Sequence, residues 1–326
     1  MVVGFLEDQS VAVSVWRSVA GSPVTLAGVG TNLNLYSEDL EVIDTIQLDQ
    51  RIVRLVSVSN HTSSFVACAD GSLGFIATPG ARLGEQLQQA ASPAAEQNET
   101  AVDADIHKSG HLASVLINSV AGGSVALADT QRDALIGKIP LGQTGTPNAV
   151  RFVDNSVIAV GSAVVSLFDI RTPQCKSGVA SRLLSTTERG RIMVALDSDG
   201  SGALVGGDSS GGVWLWDCRH STAAVKNVHA HSAAVLSLSL GGGTVGSSSA
   251  DGSVSLWTVM ADQPIRKKSR KLLLDMGDAG QLKRCAVEGS GSATGISVED
   301  SIGPDKQFAY VTDTGVLVRA SAADYI

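Results

Sequence analysis

The chain has 326 residues, 44% of them hydrophobic and 17% charged, with 24 Lys and Arg against 32 Asp and Glu and a formal net charge of −8. The hydrophobic content excludes a disordered chain, the acidity excludes a surface that binds nucleic acid over its whole extent, and the length allows two ordinary domains or one large β domain. Glycine is abundant, 35 residues where about 7% is usual, and together with the many valines it predicts short strands joined by tight turns.

Val2 to Leu6 and Val11 to Val15 both alternate apolar with other residues, the period of a half-buried strand. Glu7 and Asp8 stand where a signal peptide would carry Lys or Arg, so no leader is expected. Ala27 to Tyr36 is the first copy of a recurring unit: a small-residue strand, a tight turn, then alternating apolar residues. The second copy, Cys68 to Ile76, has Asp70-Gly71 at its turn. Pro79 to Ser109 then lacks apolar periodicity and is expected to be a flexible insertion. The unit returns at Ala121–Asp129, Val160–Asp169 and Gly206–Asp217, and is most regular at Gly246–Thr258. There Asp251-Gly252 forms the hairpin turn, because Gly takes positive φ without a Cβ clash, and Val254 and Leu256 share one face. A second flexible insertion is expected from Asp262 to Gly295, a basic run followed by Gly and Ser, before the last copy at Thr312–Val318.

The closing positions of these copies are Tyr36, Ile76, Ala128, Phe168, Trp216, Trp257 and about Val318, at intervals of 40, 52, 40, 48, 41 and about 61 residues. A period of about 40–45 residues, the Trp216-Asp217 dipeptide, and His231 placed 26 residues before Trp257 resemble the WD-repeat β-propeller family over nearly the whole chain. The resemblance implies an all-β fold: a seven-bladed WD-repeat β-propeller in one domain, residues 1–326, its ring closed by an N-terminal strand so that no sheet edge stays open. It also implies a hydrogen-bonded tetrad that locks a blade, formed here by His231, Asp251, Trp257 and a strand hydroxyl, Ser249 or Ser247. Only this copy carries the full set, and Ala230 replaces the Gly that precedes the family's His. Trp214, Trp216, Asp217, Phe168, Asp169 and Asp70 are the remaining blade-signature residues.

Constellations that suggest catalysis have plainer readings. Gly207 to Gly212 resembles the surroundings of a serine-protease nucleophile, but it holds an extra Ser and sits where the unit needs Gly and Asp for its turn; a triad is recognised by geometry and roles. His229 and His231, two apart on a strand, would face one side, and His107 and His111 lack the Glu of a zinc-protease helix. Gly289 to Gly295 misses the dinucleotide-binding spacing and reads as a linker. The cysteines at 68, 175, 218 and 285 match neither a zinc pattern nor a disulfide framework, and are expected to be reduced and mostly buried. No metal, cofactor or small-molecule substrate is expected, and the chain is read as a non-enzyme. Arg266, Lys267, Lys268, Arg270 and Lys271 form the basic run, open to reading as a solvated loop, a docking contact or an import signal; without interleaved aromatics it does not read as a nucleic-acid contact.

A closer resemblance narrows the function. Val15 to Arg17, Asn148 to Arg171, Gly206 to Arg219, Val228 to His231, and Ser301 to Val311 are similar to the small WD-repeat nucleoporins of the nuclear pore's Y-shaped outer-ring complex. That resemblance implies a non-catalytic structural scaffold at the nuclear envelope, held by other outer-ring nucleoporins, with no membrane insertion. The alternative is a WD-repeat adaptor or receptor subunit of another complex (a ubiquitin ligase, a trafficking coat or a targeting receptor), cytoplasmic in location.

Overall fold

The computed structural model describes residues 2–5, 10–17, 23–57, 63–77, 88–91, 98–120, 122–142, 146–186, 190–241, 244–258, 260–261, 274–275, 293–298, 307–312 and 316–321. Strand β1 is Val2–Phe5. A first antiparallel sheet follows, with β2 (Ser10–Arg17), β3 (Pro23–Val29), β4 (Asn32–Tyr36) and β5 (Val42–Gln47) paired in chain order. The second holds β6 (Ile52–Ser57), β7 (Ser63–Cys68), β8 (Leu73–Ala77) and β9 (Gln88–Ala91). The third holds β10 (Glu99–Ile106), β11 (Leu112–Ser119), β12 (Gly122–Asp129) and β13 (Ala134–Leu141). The fourth holds β14 (Ala149–Phe152), β15 (Val157–Gly161), β16 (Val165–Asp169) and β17 (Arg182–Leu184), with the short helix α1 (Pro173–Lys176) before its last strand. The fifth holds β18 (Met193–Ser198), β19 (Ala203–Asp208), β20 (Gly212–Asp217) and β21 (Lys226–His229). A three-stranded sixth sheet has β22 (Val235–Gly241), β23 (Thr244–Ser249) and β24 (Val254–Thr258), and the two-residue strands β25 (Met260–Ala261) and β26 (Leu274–Asp275) pair with each other. The last sheet contains β27 (Ala293–Val298), β28 (Gln307–Thr312) and β29 (Val316–Ser321), and its fourth strand is β1, with Val2 opposite Arg319.

The fold is therefore all-β, built from small antiparallel sheets. The seven closing positions of the repeated unit all lie on the third strand of their sheets. The first strands of successive sheets lie against one another, β2 on β6, β6 on β10, β10 on β14, β14 on β18, β18 on β22 and β22 on β27, and β27 also lies on β2. Six of these seven strands carry a bulge near their start, for example between Ile52 and Arg54, Ala101 and Asp103, and Val235 and Ser237. A bulge sharpens the local twist and re-aims the side chains that follow it.

Apolar clusters fill the spaces between consecutive sheets. Leu26, Leu33 and Leu35 meet Ile52, Val66 and Ile76; Val125 and Ile139 meet Val150, Ile158 and Phe168; Leu167 and Leu184 meet Leu204, Trp214 and Trp216; Val205 and Leu215 meet Val235 and Val245. Neighbours such as Leu204 and Val205 face opposite sheets, so the middle strands are buried on both sides and read as continuous apolar runs.

The insertion expected over 79–109 is interrupted by β9, Gln88–Ala91, which pairs with β8, and it ends before β10. Glu99–Ile106 is β10, the first strand of the third sheet, with Ala101, Asp103, Ala104 and Ile106 buried. Its alternation is carried by Ala and Asp rather than by large apolar residues, which hid the period. Among the described residues no helix is long and apolar enough to cross a membrane.

Candidate functional site

The sixth sheet holds the expected His231 network in altered form. His231 is buried just past the end of β21, with Nδ1 2.6 Å from Ser253 Oγ and Nε2 2.6 Å from Ser247 Oγ. Ser253 Oγ also donates to Asp251 Oδ1. A hydroxyl has one proton, so His231 Nδ1–H donates to Ser253, and Nε2 pairs with the Ser247 hydroxyl. Asp251 thus reaches His231 through Ser253, and its other oxygen accepts from Ser232 N and Oγ, both at 2.8 Å. Burial pushes the Asp251 carboxyl up, but these hydrogen bonds outweigh it and hold the group below its ordinary range. Ser247 is therefore the strand hydroxyl; Ser249 Oγ donates instead to Ala233 O. The side chain of Trp257 lies outside the described residues. His229 is exposed while His231 is buried, so the two do not share a face. His231→Ala is expected to cost about 1–3 kcal/mol, because it strips two buried hydroxyls of a partner, and His229→Ala much less. Thermal melts that place the two variants together would refute the assignment.

The fifth sheet has a comparable network that sequence reasoning missed. Asp208, fully buried at the end of β19, accepts through Oδ1 from Ser210 N, Ser210 Oγ and Gly212 N at 2.8–2.9 Å, and through Oδ2 from Trp214 Nε1 and Arg191 Nη1, each at 2.8 Å. Burial raises this carboxyl, and the bonds from Arg191 and Trp214 outweigh it to leave the group below its ordinary range. The Arg191 guanidinium also sits over the Trp214 ring, 6.0 Å from its centroid. Trp214 is the indole that closes this network. Trp216, the residue at the closing position, stacks on Trp214 and points its Nε1–H at Ser185 O, 3.4 Å away. Gly211 has φ +94°, and a Cβ on Gly211 or Gly212 would strike His231 O or Asp208 Oδ2. The protease-like stretch is thus a turn built around a structural carboxylate.

Where the first strands meet, five charged side chains converge. Asp103 Oδ2 accepts from Val150 N at 2.9 Å and Arg151 Nη1 at 2.5 Å, Asp105 Oδ2 from Phe152 N at 2.8 Å, and Asp197 Oδ2 from Leu240 N at 2.6 Å. Each carboxylate thereby staples its own sheet to the next. Arg151 Nε lies 3.4 Å from Asp197 Oδ1, and Arg54 Nη2 lies 4.0 Å from the same oxygen. Asp105 has no ion pair of its own among the described residues. Burial pushes its carboxyl up to about 6, against the pull of Arg151, the Phe152 N–H and Arg54. Burial raises Asp197 too, against Arg151 and Arg54. Arg54 is lowered by burial and by Arg151, whereas the three aspartates overcome burial and raise Arg151. No spacing rule points to this cluster; its signal is charge on otherwise apolar strands.

At corresponding ends of the fourth and fifth sheets the same device appears twice. Arg171 Nε and Nη2 donate to Asp169 Oδ1 and Oδ2 at 2.9 and 2.7 Å; Arg219 does the same to Asp217 at 2.9 and 3.1 Å. Both arginines are held planar and remain exposed, Arg171 at 71% of its side chain.

The other candidates separate. Asp70 Oδ1 accepts from Ser72 N and Oγ within its turn, and Phe168 is core. His107 bridges Ser109 Oγ at 2.8 Å and Asn155 Oδ1 at 2.9 Å, in the turn after β10, and packs edge-on against Phe152. Cys68, Cys175 and Cys218 are free and buried, and burial pushes the Cys218 thiol up to about 12, so it stays protonated and unreactive. Cys285 and the basic run Arg266–Lys271 lie outside the described residues. Among the described residues no group of three or more His, Cys, Asp or Glu could hold a metal. No protein-family model matches the chain, and no curated protein matches it either.

Proposed function

We propose that the seven sheets are the blades of a closed WD-repeat-type propeller, and that the propeller is a non-catalytic protein-interaction scaffold. The observation that carries this reading is the cyclic contact of the first strands, β2 through β27 and back to β2, together with β1 completing the last sheet. Inter-sheet staples from Asp103, Asp105 and Asp197 stiffen such a stack, and a stiff scaffold presents turns and outer edges to partners at low entropic cost.

Within that class, the resemblance from Val15 to Val311 supports a structural nucleoporin of the pore's outer ring, at the nuclear envelope and docked to other outer-ring subunits. A tagged copy is expected at the nuclear rim, with those subunits co-purifying. Deleting Arg266–Lys271 should leave the rim signal intact. A diffuse cytosolic signal with no nucleoporin recovered would sink this assignment. The alternative within the same class is an adaptor of another complex; in either role, two fixed guanidiniums at one end of neighbouring sheets are ready contacts for a partner's carboxylates. Recovery of ligase or coat subunits instead of nucleoporins would select the adaptor.

A further inference from the structure

Strand β5 is the outer edge of the first sheet, paired with β4 on one side only among the described residues. Its start exposes two aliphatic side chains, Val42 at 56% and Ile43 at 39%, and Ile43 is the extra residue of a bulge. Glu38, Asp39, Glu41, Asp44 and Asp49 surround it, and no Lys, Arg or His occurs from 37 to 50. Glu38, Asp39, Glu41 and Asp49 are exposed and enter no ion pair among the described residues. The outer strands of the third, fourth and fifth sheets, β13, β17 and β21, carry Lys138, Arg182 and Lys226, whereas β9 of the second sheet, Gln88–Ala91, carries neither a basic nor an acidic residue. A basic residue on an edge strand blunts strand addition. The β5 edge lacks that guard, and it differs from β9 in placing the exposed carboxylates of Glu38, Asp39, Glu41 and Asp49 beside exposed aliphatics.

We infer that β5 is a docking edge for an extended partner segment that alternates basic with aliphatic residues, added as a further strand to the first sheet. This rests on the interaction-scaffold reading and names the partner chemistry for one of its surfaces. Main-chain pairing along β5 supplies the register. Aliphatic side chains of the partner cover Val42 and Ile43, and its Lys or Arg residues meet the carboxylates of Glu38, Glu41 and Asp49. The chain's overall charge of −8 draws the same partners, and binding weakens as salt screens the pairs.

The probe is a displayed library of random 12-residue peptides, selected on the full chain. Wild type should enrich peptides that alternate Lys or Arg with Val, Ile or Leu. Those peptides should bind at least tenfold more weakly to Glu38→Lys/Glu41→Lys/Asp49→Lys, and to Val42→Ser/Ile43→Ser, both of which alter exposed side chains only. Enriched peptides without excess basic residues, or binding kept within twofold in either variant, would overturn the inference. If a variant folds poorly, hydrogen exchange of wild type with an enriched peptide decides: new protection of the Val42–Gln47 amides supports the inference, and protection elsewhere overturns it. A concentration-dependent dimer that the Val42→Ser/Ile43→Ser change abolishes would mean that a second copy, not a basic partner, occupies the edge. Rim localisation retained by both variants leaves the nucleoporin reading standing while β5 falls; rim localisation absent in wild type defeats that reading whatever the peptides do.

Discussion

Asp208→Ala is expected to destabilise the protein by about 3–5 kcal/mol, the range for removing one partner of a buried charged pair. The carboxylate accepts five hydrogen bonds, and its loss leaves the Trp214 indole N–H and the Gly212 N–H facing a hole in the core and takes the carboxylate partner from the half-buried Arg191 guanidinium. Asp217→Ala should cost under about 1 kcal/mol in lost ion pairing, since its partner Arg219 keeps access to water. Urea denaturation of the two variants makes the comparison directly, and similar midpoints would refute the distinction. The pH sign follows from the lowered carboxyl. The Asp208 contribution is present above the unfolded carboxylate range and disappears as acid titrates the folded group.

Arg151→Met should cost a similar amount, about 3–5 kcal/mol at pH 8, with a deficit that closes at higher pH than that of Asp208→Ala. Without the guanidinium, Asp103, Asp105 and Asp197 face one another with only Arg54 nearby. The carboxyls of Asp105 and Asp197, already raised by burial, rise further, so the folded variant gains protons ahead of the unfolded chain and the deficit shrinks between pH 8 and pH 5. A companion change tests the surplus carboxylate. Asp105 titrates near 6 in the fold, above its unfolded value of about 3.9, so its contribution favours folding in acid and is withdrawn as pH rises through 6. Asp105→Asn keeps an acceptor for the Phe152 N–H and removes the charge. It should therefore be more stable than wild type at pH 8, by about 1–3 kcal/mol, with the advantage fading toward pH 4. Melting curves across that range measure both effects; an advantage that does not change with pH would show that Asp105 is not the titrating group.

Local chemistry was legible in the residues themselves. The Asp-Gly turns, the alternation that ends in Trp216 or Trp257, and the closing positions on each third strand all follow from period-2 patterning and from glycine's freedom at positive φ. The resemblance carried by His231 and Trp257 implied a hydrogen-bonded histidine, and His231 is buried. The strand hydroxyls bound by His231 depended on pleat and turn geometry. Ser247 and Ser253 point inward, while Ser249 turns to Ala233 O, and three serines in one short segment are chemically alike until the chain is folded. The Asp208 network depended on Arg191 arriving from the segment before β18, 17 residues away. The charged cluster between the first strands lay furthest out of reach. Asp103, Arg151 and Asp197 are separated by 48 and 46 residues, and only the packing of first strand on first strand brings them within hydrogen-bond and ion-pair distance. Period and turn chemistry are short-range and written residue by residue, whereas the pairing of charges between sheets is a property of the assembled stack.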